Sequence, residues 1–295
     1  MEINFKTVQK CVNRFKGKSA RIDNLLSDNE ILRMTFTASR IPIAPDPKVL
    51  LVDIGGSVLW LPIYKELLGY KEVVILCRPN AGFTSVFKKE EIGIEKGFNV
   101  EILDCDAELG KYPIDNGQAS CVVAFEILEH FAGDPMNLVA ESNRILKENG
   151  YLCLTTPNVI SSQNLLRHAF GQQPYAWSVF TDSFADRHNR EYTPFEVRKL
   201  LEAGGFEASQ LETFSCVKQK ILPKLLGGLL SFPAFLMRKV PLRMRNATIF
   251  VCANKTGQVL HRYPTFMYDL FGANKVQVKI PLKYLSSTIE DSKEL

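Results

Sequence analysis

Asp53, Gly55 and Gly56 are the first residues whose types and spacing suggest chemistry, because they end the apolar run Val49-Leu50-Leu51-Val52 with an acid and two glycines. Glycine adopts backbone conformations closed to other residues and puts no side chain between the chain and a ligand. A small molecule can therefore sit directly against such a turn. A second group is Glu126-Ile127-Leu128-Glu129-His130, which leaves a strand-like run at Phe125. A third is the polar stretch Asp186-Arg187-His188-Asn189-Arg190-Glu191-Tyr192. His188 is a candidate base or acceptor contact, since imidazole gains and loses a proton near neutral pH. Arg187 and Arg190 suit a phosphate or carboxylate. Each feature has a local alternative: a turn-stabilising acid at Asp53, a loop-holding His188, solvated arginines. His130 has the weaker case as a catalytic group, and His168 and His261 read as structural.

These residues need a frame that brings them to one edge. Glu72-Val73-Val74-Ile75-Leu76-Cys77, Asn99 to Ala107, Cys121 to Phe125 and Gly150 to Asn158 read as further strands after Val49–Ile54. Helical spacing lies between them, as in Pro135 to Glu148. Strands that alternate with helices imply a mostly parallel α/β sheet. Ligands in such sheets bind outside the carboxyl ends of the strands. Thr193-Pro194-Phe195-Glu196 opens a fully punctuated helix: Thr193 as N-cap, Pro194 at the first turn, Glu196 closing a capping box and Gly204 or Gly205 at the end. Phe195, Val197, Leu200 and Leu201 are expected to pack on the sheet. Ala247 to Ala253 reads as a late strand.

The set Val49 to Gly56, Asp106-Ala107-Glu108 with Pro113, Glu126 to His130, and Arg144 to Gly150 running into Thr156-Pro157-Asn158 resembles the class I S-adenosylmethionine-dependent methyltransferases. It looks most like their bacterial small-molecule and sugar branches, over roughly residues 45–255. The resemblance implies a Rossmann-like seven-stranded sheet with helices on both faces, N-terminal helices, a helical insertion and an antiparallel last strand. It also implies S-adenosylmethionine as cofactor, held by Asp53, Gly55, Gly56, Cys77, Asp106, Ala107, Phe125 and Glu126. Asp106 would face the adenine, and Phe125 and Glu126 the sulfonium. His188 would face the acceptor, implied to be a hydroxyl of a sugar or glycan precursor. The chain departs from the pattern in places. Ser57 and Leu59 stand where two more glycines are usual, and Leu59 should crowd the cofactor or force another backbone path. Cys77 stands where an acid usually meets the ribose, and Ser120 where an Asp often starts the fourth strand. Those departures suit the alternative of a catalytically silent methyltransferase-like partner or scaffold protein.

Composition sets the outer limits. A chain of 295 residues with 46% hydrophobic and 23% charged content builds a sizeable globular core. The net charge of +4 gives no case for nucleic acid. The seven cysteines are scattered without close pairs, so a reduced, cytoplasmic protein without disulfides and without a metal site is expected. The organisation expected is an N-terminal helical cap over 1–45, with helical spacing from Asp23 to Met34, a core over 46–255 with an apolar insertion over 217–245, and an extension over 256–295. Residues 221–237 are strongly apolar between basic flanks but broken by prolines and glycines. Peripheral membrane contact, a homodimer contact or a fold-back lid are all open for them. The polar end, Ser286 to Leu295, is expected to fray.

Overall fold

The structure, a computed structural model, describes residues 2–17, 20–78, 100–173, 187–216 and 242–268. Strands β1 (Leu50–Ile54), β2 (Glu72–Cys77), β3 (Glu101–Asp104), β4 (Ala119–Phe125) and β5 (Leu146–Pro157) run parallel. β6 (Phe206–Phe214) and β7 (Thr248–Lys255) complete the sheet in the order β3-β2-β1-β4-β5-β7-β6, with β7 antiparallel to both its neighbours. The chain lays β1, β2 and β3 outward in one direction, then crosses to place β4 on the other side of β1. The crevice opens at this switch point, as in other open α/β sheets.

Helices α1 (Phe5–Val12), α2 (Ala20–Leu25) and α3 (Asp28–Ala38) precede the sheet, and α4 (Pro135–Ile145), α5 (Ser162–Ala169) and α6 (Pro194–Ala203) follow β4. The central strands are apolar along most of their length because both faces are covered. Their alternation still sorts the side chains. Leu51, Cys121, Val123, Cys153, Phe250 and Cys252 share one core with Val8, Ile31 and Met34 of α1 and α3. Val52, Val122, Leu152, Leu154 and Val251 share the other with Leu138 and Val139 of α4 and Val197, Leu200 and Leu201 of α6. All seven cysteines are free thiols.

Several elements differ from the sequence expectation. The helical spacing from Asp23 to Met34 is two helices, split at Ser27, whose extended backbone and Oγ cap α3 through the Glu30 N–H at 3.4 Å. α1 went unread because its capping box pairs Asn4 with Thr7, not with a glutamate. The helix expected to run to Glu148 stops at Ile145. Leu146 is already extended and pairs with Ala119, and the ladder skips to Cys121 and Tyr151, with Asn149 at φ 61° between them. α6 has the expected Thr193–Glu196 capping box. Phe195 does not pack on the sheet, however: it is 64% exposed, on the face opposite Val197 and Leu201, with the Lys199 ammonium 4.8 Å above its ring. In the extension, Tyr268 packs edge-on to Tyr263 and its hydroxyl accepts the Met136 N–H at the start of α4. No helix among the described residues is long and apolar enough to cross a membrane. Residues 221–237 and 286–295, and with them the expectations for the apolar segment and the frayed end, lie outside the described residues.

Candidate active site

β1 delivers Asp53 and then turns. Gly55 has φ +70°, and a Cβ there would lie 2.3 Å from Ile127 Cδ1. At Gly56 a Cβ would lie 2.2 Å from Asp53 Oδ2. Gly55 is thus favoured by its backbone conformation, and Gly56 by the close approach of the Asp53 carboxyl. Asp53 is 1% exposed, and the Tyr64 hydroxyl donates to its Oδ2 at 2.9 Å. Burial pushes its carboxyl up to about 8, against the lowering effect of that hydrogen bond.

Ser57 and Leu59 take a different backbone path from a glycine loop. Ser57 Oγ accepts the Leu59 N–H at 3.3 Å, and Val58–Trp60 form one tight turn followed by a π-helical turn over Ile63–Leu67. Leu59 therefore does not crowd the crevice. It is 3% exposed and sits in the core beneath the N-terminal helices. Trp60 faces the crevice instead, its ring 4.8 Å from that of Phe125.

A cavity of about 180 Å³ opens at this point, lined by Leu25, Arg33, Thr37, Asp53, Gly55, Gly56, Ser57, Trp60, Phe125, Glu126 and Thr155. Glu126, the residue after β4, has φ +54°, a conformation uncommon for a residue with a side chain. Its N–H is held by the Thr155 carbonyl at 3.0 Å. Its Oε2 lies 3.3 Å from Arg33 of α3, while its buried Oε1 has no hydrogen-bond partner. Burial opposes charge on Arg33, but Glu126 and Glu30 outweigh it and hold the guanidinium's pKa above its usual value.

Asp53, Gly55, Gly56, Phe125 and Glu126 are thus brought together as the sequence suggested. Cys77, Asp106 and Ala107 are not on the cavity wall. They lie along the same edge of the sheet, since the Gly55 N–H bonds the Leu76 carbonyl and Cys77 pairs with Asp104. Asp106 is engaged by Arg78, whose Nε is 3.2 Å from Oδ2, and by the Glu108 N–H at 3.0 Å. Glu108 is buried, ties Arg78 at 2.8 Å and accepts the N–H groups of Ala132 and Gly133. Ala107 is buried, and its carbonyl accepts from Tyr112 and Asn137.

His188 also lies off the wall, in a neighbouring cluster. Its Nδ1 is 2.9 Å from Glu191 Oε1, and its Nε2 is 4.0 Å from Oε1 of the buried Glu129. Its ring meets that of His130 edge-on at 5.0 Å. Burial, reinforced by Glu126, raises the Glu129 carboxyl well above its usual range. The N–H groups of Asn189 and Arg190 donate to the Glu129 carbonyl, which sews the polar loop to the turn after β4. Arg187 and Arg190 serve that loop, donating to Asn189 and Glu196. Arg33, Thr37, Trp60 and Thr155 were missed from sequence. Arg33 had one available signal, a lone cation on the buried side of an otherwise amphipathic helix.

A methyltransferase-domain family model matches residues 55–211, just over half of the 295 residues. No curated protein matches the sequence. Among solved structures, the chain is similar at 14% identity and TM-score 0.53 to a chain from the complex of the Haloferax volcanii Trm112 methyltransferase activator with a candidate methyltransferase, covering 87% of this chain and 100% of that one. It is also similar, at 14% identity and TM-score 0.52, to Haemonchus contortus phosphoethanolamine N-methyltransferase 2 in complex with S-adenosyl-L-methionine, covering 86% of this chain and 58% of that one. These likenesses establish the fold, and the family match carries the assignment: the chain belongs to the methyltransferase-domain family and is a class I S-adenosylmethionine-dependent methyltransferase.

Proposed function

We propose that the crevice holds the amino-acid end of S-adenosylmethionine and presents its methyl group to a hydroxyl of a small polar acceptor, most specifically a sugar or glycan precursor. The observation that carries this reading is the set of charges around the cavity. One cation, Arg33, and two acids, Asp53 and Glu126, face a space floored by glycines. That set matches a zwitterion attached to a sulfonium. Arg33 suits the carboxylate, Asp53 the ammonium, and the partnerless Oε1 of Glu126 a neighbouring positive charge or hydroxyl. At Gly55 and Gly56 the floor is backbone alone, with the Ile127 and Asp53 side chains lying where Cβ atoms would be. The cavity is smaller than the ~300–1,000 Å³ usual for whole ligand sites, so it accounts for the methionine half. The adenosine half would extend over the ends of β2 and β3, toward Cys77, Asp106 and Ala107, with the Arg78–Asp106 pair as its border.

When bound, S-adenosylmethionine supplies an electrophilic methyl group, and the protein supplies alignment and exclusion of water. The chain's own residues do the rest. Trp60 and Phe125 wall the apolar side. The loop at 187–191 closes the side of the turn after β4, where His188, tied to Glu191, would position that loop beside the acceptor. The hydroxyl preference rests on the resemblance to sugar methyltransferases, since a fold does not fix an acceptor. Contact through residues 221–237 with an anionic membrane surface or a second subunit is supported by their apolar run between basic flanks.

Incubation of the full chain with methyl-labelled S-adenosylmethionine, against sugar and nucleotide-sugar hydroxyls and against primary amines, tests the reading. Label on hydroxyl acceptors is expected. Label on amines alone overturns the acceptor class. No transfer, together with no cofactor binding, overturns the reading in favour of a silent partner protein.

A further inference from the structure

We propose that Glu129, His130 and His188 form a binding site for one divalent d-block cation, such as Zn²⁺. The three side chains each offer a ligand atom, and those atoms lie within 4.8 Å of one another. Two imidazoles and one carboxylate are a common set for Zn²⁺ and for non-haem iron, with positions left for water or substrate. Ligand distances of about 2.0–2.2 Å would require the three side chains to close toward a common point.

Proximity is not the only support. The outer contacts orient the ligands as a metal site requires. His130 Nδ1 is 3.1 Å from the Arg187 carbonyl, which can only accept, so this nitrogen carries the proton and the lone pair falls on Nε2. His188 Nδ1 is 2.9 Å from the Glu191 carboxylate, which fixes the same tautomer. A carbonyl on one histidine and a carboxylate on the other are the second-layer partners typical of metal-bound imidazoles. Glu129 supplies an independent observation. It is 1% exposed, its Oε2 is held by the Thr156 hydroxyl at 3.0 Å, and its Oε1 has no hydrogen-bond partner and faces His188 Nε2 at 4.0 Å. A buried carboxylate oxygen left without a hydrogen bond is costly, and a cation between it and the two imidazoles removes that cost.

The site adjoins the crevice. Thr155, next to the Thr156 that holds Glu129, lines the cavity, as does Glu126 at the start of the turn that carries Glu129 and His130. A cation here would reach the acceptor side, where it lowers the pKa of a coordinated hydroxyl. That role rests on the methyl-transfer reading, whereas the binding of the cation does not. Sequence spacing gave no hint of the cluster, because the fold brings His188 to Glu129 and His130 from a distant loop.

Titration of the metal-free full chain with Co²⁺, followed by its visible absorption, and with Zn²⁺ by calorimetry, tests the proposal whether or not methyl transfer is detected. One equivalent should bind, with Glu129→Gln weakening binding at least ~100-fold and Glu191→Gln roughly 10–100-fold. His168→Ala and His261→Ala should bind as the parent chain does. Circular dichroism verifies that each variant is folded. Absence of saturable one-to-one binding in the parent chain, or unchanged affinity in folded Glu129→Gln, overturns the site.

Discussion

Asp53 is where the proposed function and stability pull against each other most directly. Its carboxyl is fully buried beside one hydroxyl, and burial raises it to about 8. In the unfolded chain an aspartate titrates near ~3.9. Between these values the folded state holds a proton that the unfolded state releases. Stability from this group is therefore fully present below about pH 4 and falls as pH rises, by at most ~1.4 kcal/mol per pH unit. Above about 8 the contribution no longer changes. Asp53→Asn keeps an acceptor for the Tyr64 hydroxyl and removes the titration. Chemical denaturation should show the variant gaining stability over the parent chain as pH is raised from 5 to 8. A difference between the two that does not change with pH contradicts the account of this residue. The same substitution should cost cofactor affinity, because the carboxyl can give up its proton to balance an ammonium and an amide cannot. Such a buried acid is a burden to the fold that the proposed cofactor contact would explain.

At the scale of elements, α3 and the exit of β4 do the joint work of closing the crevice. α3 is capped at Ser27, so its first turn starts where Arg33 can reach both Glu30 and Glu126. Glu126 in turn keeps a backbone conformation that costs about 1–3 kcal/mol, held by the Thr155 carbonyl and the Arg33 pair. If Arg33 meets the cofactor's carboxylate, Arg33→Ala should weaken S-adenosylhomocysteine binding roughly 10–100-fold, the equivalent of about 1.5–3 kcal/mol for hydrogen bonds to a charged group. Binding of 5′-methylthioadenosine, which lacks the amino-acid portion, should be unchanged. Equal losses for the two ligands in calorimetry would mean that Arg33 acts only on the shape of the cap.

For the whole molecule, the parts legible in sequence were those with local causes. Apolar runs ending in Asp53-Gly55-Gly56 and Phe125-Glu126 gave the strands and one wall of the crevice, and Thr193-Pro194-Phe195-Glu196 gave α6. What stayed hidden depends on packing between distant segments. Arg33 and Trp60 enter the wall from α3 and from the turn after Ser57. Leu59 looked like an obstruction until the tight turn carried it into the core. Asp106, read from sequence as facing the adenine, lies at the strand-end edge of the sheet, and its engagement by Arg78 follows from the pairing of β2 with β3. The central claim is that the cavity at the ends of β1 and β4 is the cofactor site, and calorimetric titration of the full chain and of Asp53→Asn with S-adenosylhomocysteine tests it most directly. The account predicts saturable one-to-one binding that is at least ~10-fold weaker in the variant, the loss expected for one hydrogen bond to a charged group. No binding at millimolar ligand by the folded chain, or equal affinity in both proteins, would contradict it.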